Sequence, residues 1–60
     1  MRKNDIVKFK HPINEDEQQA RYVLLDDPEV MGGQRLDIQF ICKLPFPPIM
    51  RVSPEEIESA

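Results

Sequence analysis

Cys42 and His11 are the only cysteine and the only histidine in this sixty-residue chain, and together they could form one kind of reactive centre, a thiolate activated by an imidazole. Their separation along the chain does not forbid the pairing. Cys42, however, closes an apolar run, where cysteine commonly serves as a small buried hydrophobe. No glycine-rich loop offers an oxyanion hole, and a chain this short has no residues to spare for walling a substrate cavity. Catalysis is therefore not expected. One cysteine and one histidine also fall short of the four ligands of a structural zinc site, and a lone cysteine permits no internal disulfide. Glu15-Asp16-Glu17 and Asp26-Asp27-Pro28-Glu29 could offer oxygen ligands to calcium or magnesium. Neither has the spaced aspartates, glycine and distant glutamate of a dedicated calcium loop, so both are expected to be solvated loop charge. No cofactor and no metal are expected.

Binding chemistry has better candidates. Pro45-Phe46-Pro47-Pro48 fits P-x-x-P, the core of peptides that adopt a polyproline helix for recognition by aromatic grooves. Lys43 precedes Pro45 by two positions and Arg51 follows Pro48 by three, so the flanking base matches neither usual orientation. The segment is expected to be an extended connector. Phe46, bracketed by Pro45, Pro47 and Pro48, is then the exposed aromatic and the candidate contact to a protein partner. A second candidate surface is basic: Lys8, Lys10, Arg21, Arg35 and Arg51 all fall in or beside predicted strands, and a shared face would make a stripe able to bind nucleic acid. Outward bases also keep strand edges soluble, which explains them without a ligand. Eleven acids against eight bases give a net charge of −3, so no global field draws the chain to nucleic acid or anionic lipid. A protein partner is the first expectation and nucleic acid the second.

These residues must be positioned by a small fold. Forty per cent hydrophobic and 32% charged residues describe a globular chain, not a disordered one. The longest apolar run, Tyr22 to Leu25, is far short of the roughly 20 residues of a membrane span. The basic start leads into an alternating strand rather than a signal-peptide core, so cytoplasm is the expected compartment. Val7 and Phe9 alternate with Lys8 and Lys10, predicting a half-buried strand over Ile6–Lys10 that His11-Pro12 stops. Asn14 and Glu17 form a loose capping box, which admits either a helix running on to Leu25 or a short helical turn followed by a strand over Arg21–Leu25. The bulky, bounded run favours the strand. Asp26-Asp27-Pro28 ends it and Gly32-Gly33 reverses the chain, so that a hairpin leads into the clearest strand, Leu36–Ile41. Ile49–Val52 is expected as a short edge strand, and Ser53-Pro54-Glu55-Glu56 as the start of a last helical turn docked by Ile57.

The opening Asn4-Asp5-Ile6-Val7-Lys8-Phe9 resembles the start of small SH3-like (Src-homology-3-like) barrels, including Tudor-like and KOW-like modules, with Asn4 where glycine is usual. The order of elements is similar as well, and short bacterial proteins share the pattern. The resemblance implies a mainly β fold: a partly open SH3-like barrel of four antiparallel strands, or five, with a short C-terminal helical turn, making one domain of residues 1–60. The expected core is Val7, Phe9, Tyr22, Leu24, Leu36, Ile38, Phe40, Ile49 and Ile57. The expected function is that of a non-enzymatic protein-binding module, and an unpaired strand edge after the prolines implies homodimerisation by edge pairing.

Overall fold

The computed structural model describes residues 1–60. Val7 and Phe9 alternate with Lys8 in β1 (Ile6–Phe9), which ends where His11-Pro12 removes the next ladder donor. Ahead of it, Arg2 to Asp5 form a tight turn in which Asn4 takes φ 77°, the only positive φ outside glycine. Asparagine tolerates this left-handed region better than other residues with a Cβ, so it can stand where glycine is usual.

The chain then forms α1 (Glu15–Gln19), capped by Asn14, whose side-chain oxygen accepts from the Glu17 N–H at 2.8 Å. It stops after a single turn because Ala20 is extended, with φ −65° and ψ 142°, and its N–H turns back to the carbonyls of Asp16 and Glu17. A helix running to Leu25 is thereby excluded. The strand is instead β2 (Tyr22–Leu24), flanked on one side by β1 and on the other by β3 (Leu36–Phe40). The β2–β3 connection holds a second helical turn that the hairpin reading overlooked, α2 (Pro28–Met31). Its signals are local and complete: Asp27 caps the Glu29 N–H at 3.0 Å, Pro28 occupies the first turn, and Gly32 closes it at φ 63°.

β4 (Ile49–Val52) pairs with β3, and a 3-10 turn over Pro54–Glu56 leads into β5 (Ile57–Ser59), which pairs with the free side of β1. Two expectations change here. The C-terminal helical turn is one 3-10 turn without a side-chain cap from Ser53, and Ile57 docks as a strand residue. Pairing with β1 satisfies the backbone groups of Ile57–Ser59, which a helix with one apolar side chain could not bury. The sheet therefore has five antiparallel strands in the order β4-β3-β2-β1-β5.

Strand connectivity dictates curvature. In a flat five-stranded sheet the two outer strands lie about 19 Å apart. Only Ser53–Glu56 separates the end of β4 from the start of β5, a stretch that spans roughly 17 Å when fully extended and less with a 3-10 turn in it. The sheet must curl so that both edges reach one core. Val52 of β4 and Ile57 of β5 accordingly join Val7, Tyr22, Leu24, Leu36 and Ile38 in a single buried cluster, with Phe9, Ala20, Met31 and Phe40 packed at its margin.

Ile49 is a correction. It pairs with Gln39 while Val52 pairs with Leu36, so Ile49 shares the outward face with Arg51 and is 58% exposed, whereas Val52 is 3% exposed. Side chains alternate across a strand, and Ile49 has the same parity as Arg51.

Candidate partner-binding groove

Register brings three aromatic residues into one row. Tyr22 stands opposite Val7 on one side and Phe40 on the other, and Phe9 lies two residues beyond Val7 on the same face. The Phe9 and Tyr22 rings meet edge to face at 5.4 Å, and those of Tyr22 and Phe40 lie 5.5 Å apart at 45°. Such contacts fix the rings relative to one another. The row crosses β1, β2 and β3 at the end of the sheet where the β1–β2 connection, with α1 in it, passes over.

Three depressions run along this row and share walls. The first, about 440 Å³, is lined by Phe9, His11, Glu17, Glu55 and Glu56. Glu17 also lines the second, with Asn14, Asp16, Ala20, Tyr22 and Phe40. The third takes over Asp16, Ala20 and Phe40 and continues to Gln19, Arg21 and Ile41. Together they form one shallow groove with an aromatic floor and acidic walls. Asp16 and Glu17 come from α1, and Glu55 and Glu56 come from the 3-10 turn. The Tyr22 hydroxyl reports the environment: burial pushes its pKa above the usual 10.0, and the charge of Glu17 adds to that rise. Arg21, at the far end, turns its guanidinium onto the carbonyls of Gln18 and Ala20 at 3.0 and 2.9 Å, where it ties down the end of α1.

The proline segment begins where the groove ends. From Ile41 to Pro48 the chain forms no regular element, and its return to the sheet is pinned by two hydrogen bonds: Phe40 N–H donates to the Pro48 carbonyl at 3.0 Å, and Gln39 Nε2 to that of Pro47 at 3.3 Å. Between these anchors Leu44, Pro45 and Phe46 project into solvent. Phe46 is 91% exposed, and Ile41, Leu44, Ile49 and Met50 are exposed as well. Pro45 and Pro48 are also open, while Pro47 is partly covered.

Two of the five bases are paired with carboxylates. Lys8 on β1 lies 3.9 Å from Glu58 of β5, and Arg51 on β4 pairs with Asp37 at 3.1 Å. Three strand spacings separate β1 from β4 in the sheet order. Arg35 and Arg51 line a separate cleft of about 450 Å³ with Asp26 and Asp37, where the Asp26 carboxylate accepts the Asp37 N–H at 2.8 Å. Lys10 lies exposed just past β1, its N–H donating to the Glu56 carbonyl. Cys42 lies beyond β3, half-buried, and lines none of the groove, whereas His11 lines its first depression. The two residues of the nucleophile pair are not brought to one cleft.

The acidic walls were visible in the sequence as charge but not as a site. Their significance comes from the curl that carries Glu55 and Glu56 beside Glu17. Phe9, Tyr22 and Phe40 were readable as inward aromatics, yet only the register shows that they align. No helix is long and apolar enough to cross a membrane. Comparison with protein-family models, with curated proteins and with solved structures returns no match.

Proposed function

We propose that this protein is a non-enzymatic protein-binding module built on a partly open SH3-like barrel, with a protein segment as its partner. Support for the barrel comes from a four-strand meander, β1 to β4, whose last strand is joined by one 3-10 turn to β5 on the free side of β1, and from the left-handed Asn4 before β1. One observation carries the function: a groove with an aromatic floor and four carboxylates in its walls, next to an exposed proline connector. Aromatic faces take up apolar stems and prolines, and carboxylates at the rim select a cationic, extended segment over an acidic one. Residues Phe46, Pro45, Pro47 and Pro48 form the second half of the contact surface. The paired state of Lys8 and Arg51 gives a nucleic-acid reading no comparable support.

Titrating the ¹⁵N-labelled protein with a short oligolysine peptide tests the groove. Amide shifts are expected at Glu17, Tyr22, Phe40, Glu55 and Glu56, weakening with added salt and lost in Glu17→Lys. Shifts spread equally over the Asp26–Glu29 acids, or no saturable shifts, would show counterion attraction only and sink the proposal.

A further inference from the structure

Groove and connector are continuous, because Ile41 both lines the last depression and opens the proline segment. From this we infer that a second copy of this chain is an occupant of the groove: two molecules exchange connectors about a two-fold axis near Ile41, each placing Phe46 and its prolines over the other's aromatic row.

Chemistry, area and surface all support the exchange. The connector's one base, Lys43, arrives at walls made of Asp16 and Glu17, while its apolar side chains, Leu44 and Phe46, meet the rings beneath. The connector is not the extended segment its prolines suggest: it bends at Cys42-Lys43 and Pro45-Phe46, and the two hydrogen bonds from Gln39 and Phe40 close it into a loop on β3, so prolines and closure together restrict it before it docks and lower the ordering cost of binding. A stable interface buries about 800 Å² per partner. One short segment in one groove falls below that, but a two-fold pair makes the contact twice and uses the same patch on both molecules. The monomer also exposes 4529 Å², above the roughly 4,000 Å² expected for a chain of this mass. Pairing along β4 is a poorer route: its free edge is four residues long, follows two prolines and carries Arg51.

The inference rests on the groove reading but can fail separately from it. Sedimentation equilibrium of the full chain, from micromolar to millimolar concentration, is expected to show a monomer–dimer equilibrium. Phe46→Ala should weaken it about thirtyfold, as loss of a central aromatic anchor does. Phe46 touches no core residue in the monomer, so the melting temperature of that variant at high dilution should equal the wild type's. Glu17→Lys should weaken the dimer comparably, and dilution should shift the amides of Tyr22 and Phe40 together with those of residues 43–46. A monomer throughout the range, or a dimer that persists in Phe46→Ala, overturns the exchange. If oligolysine still shifts the groove amides in either case, the groove reading stands and only the second copy as occupant is lost.

Discussion

Alternation along β1, β2 and β3 sends one set of side chains into the core and turns the other away from it. Val7, Leu24, Leu36 and Ile38 are fully buried as their spacing predicts. In β4 the phase was inverted, and Arg51 held the clue, since a charged residue cannot share the core face with Ile49. A pair of substitutions checks this. Ile38→Val should cost about 1 kcal/mol in urea denaturation, and Ile49→Thr should stay within about 0.5 kcal/mol because that side chain already faces water. Backbone preference gives a second check at Asn4. Asn4→Gly should be neutral or slightly stabilising, while Asn4→Val should cost about 1–2 kcal/mol, because φ 77° crowds a branched Cβ. Tyr22 yields a pH dependence with a definite sign. Its hydroxyl is held protonated by burial and then by Glu17, so the unfolded chain releases that proton first as the pH passes about 10. Stability from this group is fully present below pH 10 and falls as the pH climbs through the folded pKa. Subtracting the alkaline denaturation curve of Tyr22→Phe from that of the wild type should isolate this loss.

At the level of elements, strands were more legible than turns. A strand declares itself through five or six alternating residues, whereas α1 and α2 each depend on one cap and four or five residues. Asp27, Pro28 and Gly32 carried the signature of α2 but were also sufficient for a plain loop, and local chemistry alone does not choose between them. β5 was illegible for a different reason. Ile57–Ser59 is too short to show a period, and its strand identity comes from β1, which offers an unpaired row of backbone groups. The caps predict graded losses under chemical denaturation. Asp27→Ala should cost about 1 kcal/mol, the usual value of an N-cap. Asp26→Ala should cost more, roughly 1.5–3 kcal/mol, because its carboxylate accepts the N–H of Asp37 across the β2–β3 connection and that donor would be left without a partner.

For the whole molecule, the sequence limited what was feasible more firmly than it showed what was built. Sixty residues enclose one small core, and the structure gives that core seven buried side chains, among which the Tyr22 hydroxyl is the one polar group. The groove could not be read in advance because it is a product of closure: its walls come from α1 and from the 3-10 turn, segments about forty positions apart that meet only when the sheet curls. Hydrogen exchange should reflect this construction. The β2 and β3 amides, central in the sheet, should exchange most slowly, and those of β5 fastest among the strands, since β5 has one neighbour and pairs almost the full length of the chain away. Equal protection of β3 and β5 would contradict that ranking. The pairing of β1 with β5 also bears on synthesis. On the ribosome β1 emerges before the strand that covers its flank, so a β-prone segment with Val7 and Phe9 waits with one edge open until Ile57–Ser59 is made. Lys8 and Lys10, which alternate with those two side chains, put charge on that strand meanwhile, and charge beside a β-prone run opposes aggregation of an unpaired strand until Lys8 meets Glu58 in the finished sheet.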